Sequence, residues 1–324
     1  MLIDGKWHSD WHPVQASDEQ GRFIRQTSSF RNWITPDGAP GPTGRGGFRA
    51  EKGRYHLYAA LICPWASRVL IARKLKRLED FISVSIVEPF LTDQGWRFGT
   101  YPGATRDVLF GAEFLHQIYT RAEPSHSGRA TVPVLWDKKR NVMVNNESAD
   151  ILRMLNSAFE GLAPHSIDLY PAEYAQEIDR LNPWLYEALN NGVYRAGFAS
   201  SQSAYEEAVA EVFAALDKLE NRLSDERPFL LGDRLTETDI RLFVTLIRFD
   251  VAYHGLFKTN IRRIADYHNL QGHLRRMLEV PGIADTVDLD HIKAGYYSIR
   301  ALNPSGIVPL GPLAVEQLMK AVKG

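Results

Sequence analysis

The spacing of apolar and polar residues becomes regular at Arg54 and changes period several times after it. In Tyr55-His56-Leu57-Tyr58-Ala59-Ala60-Leu61, aromatic and aliphatic residues run almost unbroken, as in a strand buried on both faces. Beyond Cys63-Pro64-Trp65-Ala66, the residues Ile71, Leu75 and Leu78 recur at helical spacing. Arg68, Arg73, Lys74, Lys76 and Arg77 fall largely on the opposite face, the pattern of an amphipathic helix. From Phe81 to Val87, Ile82, Val84 and Ile86 alternate with Ser83 and Ser85, the period of a strand. Strand, helix and strand make one βαβ unit, parallel and right-handed by default.

Residues 88 to about 128 read as a long Gly- and Pro-bearing insertion containing Trp96, of the kind that is usually functional or disordered. Thr131-Val132-Pro133-Val134-Leu135-Trp136 predicts a strand, Val142-Met143-Val144 its hairpin partner, and Asp137 to Asn141 the turn. A helix opens near Asn146 with Ile151, Met154 and Leu155 on one face, so the expected order is β-α-β-β-α. From about residue 165 the pattern is helical only. Ala208, Val212, Ala215, Leu216 and Leu219 form one stripe, and Leu270 to Leu278 a helix that ends before Pro281-Gly282. Thr236-Glu237-Thr238-Asp239 opens another helix as an acidic variant of the capping box, with Leu235 and Ile240 placed as a staple. The tail from Asn303 to Pro309 is irregular, and no internal repeat is present.

Before Arg54 the chain is rich in Gly, Pro, Ser and charge, with Trp7, Trp11, Phe23 and Trp33 spaced through it. It reads as an arm lying over the folded domain and pinned by its aromatics. The run from Gly41 to Gly47 lacks the Lys-Ser/Thr of a phosphate loop and follows no strand, so it is turn chemistry. The expected organisation is therefore an arm over 1–53, an α/β domain over 54–160 and an all-helical domain with an extended tail over 161–324.

Composition narrows the function classes. At 324 residues, 44% hydrophobic and net charge -1, the chain has core enough for two domains and no clustered basic face for nucleic acid. No apolar run approaches the roughly 20 residues that span a bilayer, and the N-terminus has no basic-then-apolar leader, so a soluble cytoplasmic protein is expected. A single cysteine excludes an intramolecular disulfide and a multi-cysteine zinc site. Any disulfide chemistry must involve another molecule.

That cysteine, Cys63, directly follows a buried strand and directly precedes a helix. Unpaired backbone N–H groups at a helix start favour the thiolate. An ordinary thiol, with pKa about 8.5, is only a few per cent ionised at neutral pH, and lowering it by about two units makes the thiolate the main form. Ala66 occupies the position three residues on, so no resolving thiol exists and only a mixed disulfide with a small thiol can form. The plain alternative is a small buried hydrophobe. Val132-Pro133 is a second signal: a cis bond there turns the Val132 backbone toward an extended peptide ligand, whereas a trans edge-strand proline does not. Asn146-Glu147-Ser148, at a helix start, is either an anion site for a carboxylate or ordinary capping by Asn146 or Ser148. Arg129 is either the partner of a second carboxylate or a solvated charge.

Taken together these residues resemble the glutathione transferase superfamily: a thioredoxin-like α/β domain followed by an all-α domain. The closer resemblance is to the glutathionyl-hydroquinone reductases, or Xi class. It is carried by Arg54-Tyr55-His56-Leu57-Tyr58, Cys63-Pro64-Trp65-Ala66, Val132 to Asp137, Asn145-Asn146-Glu147-Ser148, Asn190 to Phe198, Asp239 to Phe243 and the tail from Asn303 to Pro312. The stretch Asn190-Asn191-Gly192-Val193-Tyr194-Arg195-Ala196-Gly197-Phe198 is the most specific of these. The resemblance implies that Cys63 is the nucleophile and that glutathione is the co-substrate, with no metal required. Val132 would pair through its backbone with the cysteinyl moiety, Glu147 and Ser148 would hold the γ-glutamyl end, Trp96 would pack on the tripeptide and Arg129 would meet a carboxylate. Tyr194, Tyr253 and Tyr296 would line an aromatic pocket, although for each taken alone helix packing is the plainer role, and Tyr297 competes with Tyr296 for the position. A homodimer through the helical domain is implied as well. Three rivals are an omega-type thiol transferase or dehydroascorbate reductase, a conjugating transferase, for which Ser or Tyr would replace Cys63, and a non-catalytic glutathione-binding scaffold.

Overall fold

The computed structural model describes residues 1–9, 16–43, 46–164 and 166–323. Trp11 of the arm, and Gly44 and Arg45 of the glycine-rich turn, lie outside the described residues. The chain divides into two units, the first comprising Met1–Trp11, Gln26–Ile167 and Thr286–His291, the second His12–Arg25, Asp168–Asp285 and Ile292–Gly324. These bounds differ from the expected 1–53, 54–160 and 161–324, because the arm is shared out between the units rather than standing apart.

The first unit opens with β1 (Leu2–Ile3), β2 (Lys6–Trp7), β3 (Trp33–Thr35) and β4 (Gly47–Arg49) of the arm. Then follow β5 (Tyr55–Ala59), α1 (Pro64–Leu75), β6 (Ile82–Ile86), the short hairpin β7 (Leu91–Thr92) and β8 (Gly95–Trp96), α2 (Leu115–Ala122), β9 (Val134–Asp137), β10 (Val142–Asn145) and α3 (Ser148–Ser157). Its main sheet has the order β10-β9-β5-β6. β5 runs parallel to β6 and antiparallel to β9, the expected βαβ unit plus hairpin. All five residues of β5 are buried, as the unbroken apolar run required.

Two expectations are corrected, for the insertion and for the arm, and α1 buries part of its basic face. The insertion over 88–128 holds a helix, α2, whose Leu115, Ile118 and Tyr119 are buried, so the order gains one helix. The basic side of α1 is only partly solvated: Arg68 is buried with its guanidinium 4.4 Å from the Trp65 ring centroid. Lys76 is buried too, and its Nζ donates to the Ile167 carbonyl at 2.8 Å. Long basic side chains hide their stems and still reach a partner, which residue type alone does not reveal. The arm is held by more than aromatics. Asn32 N–H donates to Val144 O and Asn146 N–H to Phe30 O, both at 3.0–3.1 Å, and Arg31 pairs with Asp150. The arm thereby covers the open edge of β10, an edge that would otherwise present unpaired backbone groups. Trp7 does anchor as expected, stacking on His116 with centroids 4.7 Å apart and donating from Nε1 to Asp93 O at 2.7 Å in the β7–β8 turn.

The second unit contains α4 (Ala175–Leu185), α5 (Gly192–Gly197), α6 (Gln202–Arg222), α7 (Glu237–Arg248), α8 (His254–Leu256), α9 (His268–Glu279), the end of α10 (Leu289–Tyr297) and α11 (Leu313–Lys323). The apolar stripe of α6 is buried as predicted. Every residue of α7 is buried, making it the central helix of the unit, each large apolar side chain contributing roughly 1.5–3 kcal/mol by burial. Its capping box forms: Asp239 Oδ2 accepts from Thr236 N at 2.9 Å, while Oδ1 accepts from Leu230 N at 2.8 Å and lies 3.1 Å from His273 Nε2. α11 follows the irregular tail and was not anticipated. Among the described residues no helix is long and apolar enough to cross a membrane.

Candidate functional site

Two clusters carry chemistry, one in each unit. In the first unit, Cys63 stands at the N-cap of α1 with extended backbone angles, and Pro64 opens the helix. Proline fits there because its missing N–H would be unsatisfied in any case. The Cys63 amide donates to Ala60 O at 3.1 Å and its carbonyl accepts from Ser67 N–H at 2.9 Å, so the turn from β5 into α1 is fixed on both sides. The thiol is half-buried and donates to the carbonyl oxygen of Val132 at 3.6 Å. The Val132–Pro133 peptide is cis, the isomer the sequence suggested. Among the described residues no group accepts from the Val132 N–H, which lies just outside β9. Val132 itself is buried beside the thiol.

Tyr119 of α2 ties this corner together. Its hydroxyl donates to Thr131 O at 2.8 Å and accepts from Asn146 Nδ2 at 3.1 Å, clamping the residue before Val132 to the residue before Glu147. Burial pushes its phenol above the ordinary range, so it acts as a neutral clamp. Glu147 is the N-cap of α3: one carboxylate oxygen accepts from Ala149 N–H at 3.1 Å. Neither Asn146 nor Ser148 does this capping, and both are buried. The other oxygen of Glu147 accepts from Ser28 Oγ at 2.9 Å, bringing the arm to the site. Arg129 is half-buried, its N–H donates to Gln26 Oε1 at 3.1 Å, and its charge bears on Tyr119. Trp96 is half-buried on the β7–β8 hairpin, and among the described residues no hydrogen bond or ring contact ties it to Cys63, Val132 or Glu147.

In the second unit the three tyrosines singled out in the sequence meet. Tyr194 and Tyr296 hydroxyls lie 2.5 Å apart, and those of Tyr253 and Tyr296 3.0 Å apart, a continuous chain of phenols. Tyr253 is 0% and Tyr296 3% exposed, while Tyr194 is half-buried. Burial, reinforced by the neighbouring Tyr194, holds the Tyr253 and Tyr296 phenols well above their usual range, so both stay protonated. Tyr296, not Tyr297, joins the chain; Tyr297 lines a separate cleft of about 390 Å³ with Leu256, Leu302 and Ile307. The backbone aims these residues by two π-helical turns, Tyr186–Asn190 just ahead of α5 and Phe249–Tyr253 at the end of α7. Such turns insert one residue into a helix and are frequent at functional sites. Gly197 explains part of the specific stretch around Tyr194: a Cβ there would stand 2.3 Å from Phe257, whose ring packs 5.3 Å from that of Tyr194.

Sequence reasoning missed Ser28 and Arg25, both contributed by the arm. Arg25 places its guanidinium 4.7 Å from the centroid of the Tyr194 ring and donates from Nε to Asn191 Oδ1 at 2.7 Å. Their sequence distance from their partners leaves no local signal.

Comparison with known proteins agrees with this geometry. Residues 62–158 match the glutathione S-transferase N-terminal domain and residues 202–276 the glutathione S-transferase C-terminal domain. The chain is 55% identical over 314 residues to the glutathionyl-hydroquinone reductase YqjG of Escherichia coli (strain K12), covering 96% of this chain and 95% of that one. The glutathione-bound structure of that protein superposes with a TM-score of 0.88 at 53% identity, over 96% of this chain and 95% of the other. The glutathione-S-transferase Xi of Phanerochaete chrysosporium superposes with a TM-score of 0.87 at 46% identity, over 92% of this chain and 95% of the other. The chain belongs to the glutathione transferase family, and within it to the glutathionyl-hydroquinone reductases of the Xi class.

Proposed function

We propose that this chain is a glutathione-dependent reductase that removes glutathione from glutathionyl-hydroquinones. The observation that carries the reading is the Cys63 thiol beside Val132, whose N–H has no acceptor among the described residues and is left for the backbone of glutathione. The Cys63 thiolate attacks the thioether sulfur of the substrate. A sulfur–sulfur bond forms and the aryl carbon–sulfur bond breaks. The aryl carbon keeps the electron pair and takes a proton, so the ring is reduced as the two sulfurs are oxidised. A second glutathione, as thiolate, attacks the glutathionyl sulfur of the mixed disulfide, yielding oxidised glutathione and regenerating Cys63. Ping-pong kinetics follow from the covalent intermediate.

The residue roles extend this proposal. Val132 pairs with the cysteinyl backbone, Glu147 and Ser148 hold the γ-glutamyl end, Trp96 packs on the tripeptide and Arg129 meets a carboxylate. Tyr194, Tyr253 and Tyr296 supply hydroxyls for the hydroquinone oxygens. An omega-type thiol transferase or dehydroascorbate reductase would use the same thiol, but a chain of three phenols favours an aryl substrate. A cytoplasmic setting fits a lone thiol that must remain reduced, and a homodimer is expected for this class. Intact mass after incubation with a glutathionyl-hydroquinone tests the reading: one glutathione on Cys63 and free hydroquinone are expected. Absence of the adduct, with the substrate unconsumed, would return the chain to a non-catalytic glutathione-binding role.

A further inference from the structure

Asn191 stands at the N-cap of α5, where an asparagine side chain ordinarily accepts from a backbone N–H of the first turn. Here it caps nothing: no side-chain cap bond forms, and Oδ1 instead accepts from Arg25 Nε at 2.7 Å. One turn along α5, the Tyr194 ring lies under the same guanidinium at 4.7 Å. Arg25 thus grips the start of α5 and the face of its tyrosine together. The segment bearing it is seated independently, through Phe23 on Phe198 with centroids 5.4 Å apart and Arg22 paired with Glu207 at 3.0 Å.

From this arrangement we infer that Arg25 is a positioning residue for the hydroquinone reaction, acting through the Tyr194 hydroxyl. The inference rests on the reductase reading and deepens it. A planar cation over a phenol ring fixes the ring and stabilises negative charge that develops on its oxygen as it gives up a hydrogen bond or proton. Tyr194 is hydrogen-bonded through Tyr296 to Tyr253, and chained hydroxyls polarise one another, so its O–H is a prepared donor to the oxygen of the departing hydroquinone. The arm, by this account, selects for acceptors with a ring oxygen and does not serve glutathione capture.

A double-mutant cycle tests it, using the full chain with Arg25→Met, Tyr194→Phe and the pair. Each is assayed on the glutathione adduct of para-benzoquinone and on the mixed disulfide of glutathione with mercaptoethanol. Arg25→Met should lower the ratio of kcat/KM for the two substrates by about tenfold, and in the Tyr194→Phe background by less than about twofold. Arg25→Lys, which keeps the charge and loses the Nε bond and the flat stack, should fall between. Additive losses, or a ratio unchanged by Arg25→Met when circular dichroism shows the variant folded, would overturn the inference; a reduced folded fraction lowers both rates alike and cancels in the ratio, and Arg25→Lys repeats the test with the charge kept. Failure of the unsubstituted protein to consume the adduct would instead overturn the reductase reading itself.

Discussion

The Cys63 thiol donates to the Val132 carbonyl across 3.6 Å, so the proposed nucleophile rests on a residue whose own N–H has no acceptor among the described residues. Attack on a bound sulfur requires the thiol to leave that contact as a thiolate, and no other thiol in the chain can replace it. Cys63→Ala should therefore retain less than about 1% of turnover while the Kd for glutathione moves by less than about threefold. Steady-state rates and calorimetric titration check the two halves. Residual turnover well above that level would remove Cys63 as nucleophile.

Replacing Tyr194, Tyr253 and Tyr296 together by Phe keeps the rings and deletes every hydroxyl of the chain. Ring packing, worth roughly 0.5–1.5 kcal/mol per pair, survives, while hydrogen bonds of about 1 kcal/mol net each are lost. The expected outcome is at least about a tenfold fall in kcat/KM for glutathionyl-hydroquinones, with a much smaller change on a small mixed disulfide. Equal losses on both substrates would show that these phenols do not define the acceptor.

Glu147 has one duty in the structure and a second in the proposed reaction, and substitution separates them. Its cap on Ala149 N–H needs only an acceptor, whereas holding the ammonium of a γ-glutamyl group needs charge. Glu147→Gln should keep thermal stability near that of the parent and weaken glutathione binding by about tenfold; Glu147→Ala should also lose about 1 kcal/mol of stability. Unchanged glutathione affinity in Glu147→Gln would leave this residue a cap alone.

His56 predicts how the fold responds to acid. Buried in β5 between Ser83 Oγ at 2.8 Å and Ser85 Oγ at 3.0 Å, it is held down to about 4 by burial. The unfolded chain binds a proton near pH 6.5 and the fold does not, so this stability is complete above about pH 6.5 and lost as pH falls toward about 4. The limit is on the order of 3 kcal/mol, at about 1.4 kcal/mol per unit. Urea midpoints between those pH values should fall more steeply for the parent than for His56→Gln. Parallel slopes would assign the acid response to other groups.

Legibility in the sequence followed the range of the interaction. β5, α1, β6, the β9–β10 hairpin and the capping box of α7 announce themselves because their causes lie within a few neighbours. α2 carries Leu115, Ile118 and Tyr119 at helical spacing, yet eight residues inside a Gly- and Pro-rich stretch fall below what periodicity resolves. The two π-helical turns have ordinary helical composition, so the displacement they impose on Tyr253 and on the start of α5 has no signature in residue type. Cys63, Val132 and Glu147 stand out by their motifs, and the three tyrosines, which the structure brings together, are pointed to by the family resemblance. Ser28, Arg25 and the clamp formed by Tyr119 have no such signal, since each meets its partners only once distant segments fold.

The division of the chain has a consequence for how such a protein can be altered or inherited. The polypeptide passes from one unit to the other at 11/12, 25/26, 167/168, 285/286 and 291/292, so no single cut yields either unit whole. A gene fragment covering only 54–160 would lack the arm strand over β10 and the buried His291, whose Nε2 meets Pro102 O at 2.6 Å. Exchange of one unit between relatives therefore needs several junctions, where proteins joined by a single linker need one.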